Sequence, residues 1–333
     1  MRLLMLGGTE FVGRAVAEAA VARGWQVTVF HRGRHAPPPG VRVLRGDRSS
    51  GDGLAALGQQ EWDAVVDTWS GAPRAVRDAA RLLAGRCGAG PYVYISSRSV
   101  YAEPVAAGAD ETFPVVDASP HDTEAEDYAR VKRGGELAAA DAFGDRALFV
   151  RAGLIIGPGE NVGRLPWWLL RTARGGDVPA PGPPGLPLQY IDVRDLAEWV
   201  LSAAARGLGG TYNVVSPPGH TTTGELLRTC VEVTGGRARL CWRTPESVLA
   251  AGAEPWTGLP VWLPPDSADY DHMHRSDVSR ALAAGLRCRP VEETVADTWE
   301  WLRRIGGRAP MRADRPLKGL DEETEARLLA MPD

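Results

Sequence analysis

Residues 4–13 read Leu4-Met5-Leu6-Gly7-Gly8-Thr9-Glu10-Phe11-Val12-Gly13, an apolar run that breaks at a pair of glycines and gives way to a helical pattern. Arg2–Leu6 reads as a strand and Gly7–Gly13 as a turn. Arg14–Arg23 reads as a helix with apolar positions at Ala15, Val16, Ala19, Ala20 and Ala22, ended by Gly24. A strand that feeds a glycine turn that feeds a helix is what a dinucleotide pyrophosphate needs. The turn lets backbone N–H groups approach the phosphates, and the helix N-terminus adds a favourable partial charge. Gly7, Thr9, Glu10, Phe11, Val12 and Gly13 are the expected contacts.

Further strands at Trp25–Phe30, Val41–Arg45, Ala64–Asp67 and Tyr92–Ser96 alternate with helical stretches such as Pro73–Ala84. This βαβα order predicts an α/β fold, a Rossmann-type doubly wound parallel sheet with helices on both faces. A helix is expected over Thr123–Phe143, followed by a strand at Ala147–Arg151. After Gly157 the texture changes, and Pro179–Pro187 is dense in Pro and Gly. Residues 1–157 therefore read as the dinucleotide-binding domain. Residues 158–305 read as a smaller substrate-binding lobe with segments returning to the sheet, and 306–333 as a surface tail with one short helix.

The second strand speaks to cofactor choice. A site for NAD usually ends that strand in an acid that accepts from the ribose 2′-hydroxyl, whereas a site for NADP supplies cations for the 2′-phosphate. Here it ends Phe30-His31-Arg32-Gly33-Arg34-His35. Arg32 is the expected phosphate contact, with Arg34 and Arg14 as helpers, so NADP(H) is favoured and NAD(H) stands second. Asp47, after the third strand, is placed to accept from the adenine amino group.

Tyr128 and Lys132 stand four apart, hence on one helical face. A phenol is a poor base at neutral pH, and a neighbouring ammonium favours its phenolate. With seven tyrosines and two lysines in 333 residues, roughly 0.04 chance matches to Tyr-x-x-x-Lys are expected. Ser97 and Ser99, beyond the fifth strand, sit at the sheet edge where ligands bind, and Ser97 is the expected donor to a substrate oxygen.

A net charge of -4 leaves no global basic field, which speaks against nucleic acid and anionic membrane as partners. Cys87, Cys230, Cys241 and Cys288 form no C-x-x-C pair, which suits a reducing compartment. The first apolar run is too short for a signal segment, and no run of about 18 apolar residues follows. The expected address is cytoplasmic, the partner a small molecule, the default assembly a homodimer. His272-Met273-His274 has no third ligand at a recognisable spacing, so no metal is expected.

Taken together, Gly7-Gly8-Thr9-x-Phe11-Val12-Gly13, Gly46-Asp47, Ile95-Ser96-Ser97-x-Ser99-Val100-Tyr101, Tyr128-x-x-x-Lys132 and Arg151-Ala152-Gly153-Leu154-Ile155-Ile156-Gly157-Pro158 resemble the extended or atypical short-chain dehydrogenase/reductases, the NAD-dependent epimerase/dehydratase superfamily. The resemblance implies Ser97, Tyr128 and Lys132 as catalytic residues, with Lys132 also on the nicotinamide ribose, and Gly153 and Ile155 beside the nicotinamide. It departs at Glu10, where the family spacing has a second glycine. The substrate lining is expected from Trp69, Ser70, Ser99, Arg164, Trp168 and Tyr190. Arg32 tilts the reading toward an NADP(H)-dependent reductase of a sugar-like or secondary-metabolite carbonyl. The alternatives are an NAD-retaining nucleotide-sugar epimerase or dehydratase, and a non-catalytic cofactor-sensing or RNA-binding relative.

Overall fold

Leu3 and Met5 turn to one face of the first strand and Leu4 and Leu6 to the other, and all four are buried. A strand buried on both faces belongs inside a sheet covered on both sides. The computed structural model, which describes residues 1–333 except 89, 125, 126, 317, 332 and 333, has that arrangement. In chain order come β1 (Arg2–Leu6), α1 (Phe11–Ala22), β2 (Gln26–His31), β3 (Arg42–Arg45), β4 (Ala64–Asp67), α2 (Pro73–Ala84), β5 (Tyr92–Ser97), α3 (Tyr128–Phe143) and β6 (Ala147–Ala152). The chain continues through β7 (Ile155–Ile156), α4 (Arg164–Ala173), β8 (Gly176–Pro181), β9 (Pro187–Leu188), β10 (Ile191–Asp192), α5 (Val193–Ala205) and β11 (Gly210–Val214).

Seven parallel strands form the main sheet in the order β11-β6-β5-β4-β1-β2-β3. The order reverses between β1 and β4, and their C-terminal ends, Gly7 and Thr68, flank the crevice where such sheets bind ligands. One core lies under α1 and α5, with Met5, Val16, Val29, Leu196 and Val200 in it. Another lies under α2 and α3, with Leu4, Val65, Val76, Leu83 and Ala138. The fold is thus a Rossmann-type doubly wound sheet.

The remaining elements, β12 (Thr221–Thr222), α6 (Thr223–Val233), β13 (Ala238–Arg243), α7 (Pro245–Ala250), α8 (Ala268–His274), α9 (Ser279–Ala283), α10 (Val291–Arg304) and α11 (Glu322–Ala330), belong largely to a second lobe. Its core joins Leu169, Val178, Leu227, Trp262, Val295 and Leu302. The Pro-rich stretch is more regular than its composition suggests, because β8 pairs in parallel with β13. The C-terminal segment, largely exposed, carries the short helix α11 and is docked on the second lobe through that helix. Leu328 of α11 is fully buried, Glu325 pairs with Arg171 at 2.6 Å, and Arg243 donates to the Leu328 and Leu329 carbonyls at 3.0 and 2.9 Å.

Helix α3 starts five residues later than expected. Asp127 caps it, accepting from the Ala129 and Arg130 N–H groups at 2.8 and 3.2 Å, and that extended cap residue ends the helix on its N-terminal side. Residues 125 and 126 of the expected helix lie outside the described residues. A buried carboxylate fixes α3 on the sheet: Glu136 accepts from Ser96 at 2.7 Å, from Arg151 at 2.9 and 3.0 Å and from Arg133 at 3.0 Å. Removing it would strand the buried Arg151 guanidinium. Glu136→Ala is expected to lower stability by about 3–5 kcal/mol. Glu18→Ala, which breaks an exposed pair with Arg14, should cost under about 1 kcal/mol. Urea unfolding midpoints of the two variants check both figures.

Candidate active site

The turn after β1 is built for close approach. Gly7 and Gly8 have φ of 110° and 91°, and a Cβ on Gly13 would stand 2.7 Å from the Gly8 nitrogen. Phe11, the first residue of α1, has φ of 33°, an uncommon conformation for a bulky residue and a local strain of the sort found at ligand sites. No side chain caps α1, so its first N–H groups remain available to an acceptor. Thr9 lies within this turn and Val12 packs on the core beneath it. These features fit a dinucleotide pyrophosphate. Glu10 is accommodated because its backbone is extended (φ -135°) and its carboxylate meets the Asn161 amide at 3.3 Å and His35 at 3.5 Å.

Arg32 and Arg34 are exposed beyond β2. Arg14, the expected helper, meets Glu18 at 2.8 Å in an exposed pair. Asp47 forms a tight turn, accepting from the Ser49 N–H at 3.0 Å and its hydroxyl at 2.5 Å. Those bonds, with Arg32 and Arg34 nearby, hold its carboxyl below the usual range.

At the other side of the crevice α3 presents Tyr128 at its first turn, 38% exposed. Lys132, one turn along, is only 4% exposed, and its ammonium donates to the carbonyls of Trp69 at 2.6 Å and Ile95 at 2.8 Å. Burial pushes it down to about 7, opposed by Asp67 and Glu136 and reinforced by Arg312 and Arg315. Tyr94 also lies near Lys132, its ring 4.9 Å from the ammonium, but its hydroxyl is buried and donates to Trp69. Of the two phenols, Tyr128 is the exposed one. Ser97 ends β5 and Ser99 lies in the turn after it, both half-buried, their hydroxyls 3.1 Å apart.

A second buried cross-link supports this edge. Asp67, at the end of β4, takes a bidentate bond from Arg48 at 2.7 and 2.8 Å and a bond from Tyr92 at 2.5 Å. Arg48 lies under the Trp69 ring at 5.0 Å, so the segment carrying Trp69 and Ser70, both half-buried, is held from below. Gly153 packs where a Cβ would come within 2.7 Å of Val215, and the Ile155 carbonyl accepts from Arg164 at 2.7 Å.

Three residues expected to line the substrate site stand elsewhere or are already engaged. Arg164 is tied to Glu160 at 3.0 Å as well as to Ile155, and it braces a loop instead of waiting for an anion. Trp168 is 1% exposed, with its indole N–H on the Pro260 carbonyl at 2.8 Å, and Tyr190 is 2% exposed against His220. Both belong to the second lobe's core. His272 and His274 bond to the backbone of Arg98 and Gln189, and no cluster of metal-ligating side chains occurs among the described residues.

Sequence reasoning missed Glu136, Arg151, Asp67, Arg48, Asn161, Arg312 and Arg315. The first four had a signal, being charged residues in or beside apolar strands and on the inward face of α3. The last three had none, because they reach the site from loops.

No helix of the described residues is long and apolar enough to cross a membrane. No curated protein matches the chain. Solved structures with the same fold include WbmH of Bordetella bronchiseptica in complex with NAD+, at a TM-score of 0.64 and 18% identity over 92% of this chain and 99% of that one. UDP-glucose 4-epimerase of Thermus thermophilus in complex with NAD has a TM-score of 0.60 and 23% identity over 90% and 99%. TunA, an NAD-dependent NDP-hexosamine 5,6-dehydratase, has a TM-score of 0.62 and 21% identity over 91% and 98%. The family model for the NAD dependent epimerase/dehydratase family matches residues 3–215, a span that takes in the glycine turn, Ser97, Tyr128 and Lys132. With that match over well more than half its length, the chain belongs to the NAD dependent epimerase/dehydratase family.

Proposed function

We propose that this protein interconverts an alcohol and a carbonyl carbon of a hydroxylated, sugar-like small molecule, in a cycle that ends in epimerisation or dehydration. The observation behind this reading is the pairing on α3 of an exposed Tyr128 with a Lys132 ammonium buried at the sheet edge. Burying an ammonium among backbone carbonyls is costly, and packing alone gives no reason for it. Oxidation requires the substrate hydroxyl to lose its proton; the Tyr128 oxygen takes it, and the return step gives it back. Lys132 favours the phenolate, and two of its three N–H bonds are held by Trp69 and Ile95, leaving one for a ribose hydroxyl. Ser97 donates to the same substrate oxygen. A nicotinamide dinucleotide at the glycine turn supplies the hydride acceptor and donor. We place the reaction in the cytoplasm, a setting that suits the unpaired cysteines.

The family and the NAD-bound neighbours support a retained NAD. A second reading, a reductase that exchanges NADPH for NADP, has the exposed Arg32 and Arg34 in its favour. Calorimetric titration of nucleotide-free protein separates them. NADH bound at least as tightly as NADPH supports the retained cofactor, and a tenfold preference for NADPH, about 1.4 kcal/mol, supports the reductase. Binding of neither overturns both.

Lys132→Met should reduce turnover by about a hundredfold or more, given the usual weight of acid–base assistance. Its effect on stability has the opposite sign. The folded pKa of Lys132 is depressed, so the cost of its buried charge is fully present below about pH 7 and is relieved as pH rises toward the unfolded value. The wild type should therefore gain stability relative to the variant between pH 7 and 10, on the order of 1 kcal/mol per pH unit. Denaturation of both proteins across that range tests the sign.

A further inference from the structure

The stretch between α10 and α11 crosses the active-site edge. The Arg312 N–H donates to the Asn161 carbonyl at 3.0 Å, and the Asn161 amide in turn donates to Glu10 at 3.3 Å. Met311 fills the space beside Gly163, where a Cβ would come within 2.9 Å of its sulfur. Arg315 lays its guanidinium over the Tyr128 ring at 5.3 Å. Farther on, Lys318 donates to the Trp256 carbonyl at 3.1 Å and the Gly319 N–H to Thr257 at 2.9 Å. One segment thus touches the loop after β7 and the exposed tyrosine of α3, and it reaches the acid of the glycine turn through Asn161.

Its charge fits the place. Arg308, Arg312, Arg315 and Lys318 stand against the single acid Asp314. Asp314 holds the Arg312 fork through two bonds, at 2.9 and 2.6 Å, in a partly exposed pair that orients the fork. Among the described residues Arg315 has no carboxylate at ion-pair distance. The need for such cations comes from Glu10. A carboxylate at the N-terminus of α1 repels the phosphates that the turn is shaped to receive, and its field has to be offset for a dinucleotide to sit there. Asp314 first, then Glu10 and Tyr128, keep Arg312 in its charged form.

We propose that residues 309–316 are a cationic strap of the cofactor site, in which Arg312, whose backbone is docked on Asn161 next to Glu10, neutralises that carboxylate so that the dinucleotide pyrophosphate can bind. Arg315 steadies the Tyr128 ring from the same strap. This inference rests on the cofactor-binding reading above.

A double-mutant cycle tests it, with NADH and NADPH affinities measured by calorimetry on the wild type, Arg312→Gln, Glu10→Gly and the double variant. Arg312→Gln should weaken the tighter dinucleotide tenfold or more in the wild-type background and less than threefold when Glu10 is glycine, and Arg312→Lys should restore most of the affinity. An equal loss in both backgrounds overturns the proposal. So does a loss seen only with uridine diphosphate titrated alongside, which would put the strap over the substrate. If Arg312→Gln does not fold, Glu10→Gly decides alone: an offset carboxylate changes affinity less than threefold on removal, and one that is not offset gives a tenfold gain. A wild type that binds neither dinucleotide removes the cofactor reading and the strap with it, whereas a binding wild type without coupling removes the strap alone.

Discussion

The Glu136 carboxylate, out of contact with water, accepts four hydrogen bonds from three residues of α3, β5 and β6. Such a pair adds little net stability over a well-packed apolar substitute, because both charges lose their hydration. Its effect is on placement. Helix α3 can lie on the sheet in one register, and that register sets where Tyr128 emerges and where Lys132 enters. Asp67 and Arg48 do the same for the end of β4, so the two carbonyls that receive Lys132 belong to segments tied down by buried ion pairs. The two carboxylates also oppose the desolvation of Lys132, which joins the mechanical and electrostatic roles in one network.

Close packing reinforces this placement. A Cβ on Gly135 would lie 2.4 Å from the Tyr94 hydroxyl, and one on Gly134 would lie 2.6 Å from Pro73. Paired glycines in the middle of α3 weaken it as a helix but let it approach both β5 and α2. Local propensity yields here to the requirement that α3 pack closely on the sheet.

The sheet, the glycine turn and the Tyr128/Lys132 face were legible because each is a local pattern with a physical reason: strand, turn and helix within a dozen residues, or two side chains one helical turn apart. The strand at Gly176–Pro181 was hidden because prolines that remove donors are tolerated where β8 has only β13 beside it. Trp168, Tyr190 and Arg164 were misplaced for another reason. Aromatic and basic residues next to a ligand loop look alike in sequence whether they face the ligand or brace the loop. Asn161, Arg312 and Arg315 were illegible in principle, since their neighbours Glu10 and Tyr128 lie far away along the chain.

That separation bears on how the protein is made. The contact between Arg315 and Tyr128 joins residues almost two hundred positions apart, and the one through Asn161 ties residue 312 to residue 10. During synthesis the sheet and its glycine turn leave the ribosome well before the segment that covers them, and α11 anchors that segment only once Glu325 and Leu328 have reached Arg171 and the second lobe. The nascent chain therefore passes through a stage with its sheet and glycine turn synthesised and residues 309–316 not yet docked, which makes these contacts among the most non-local of the fold.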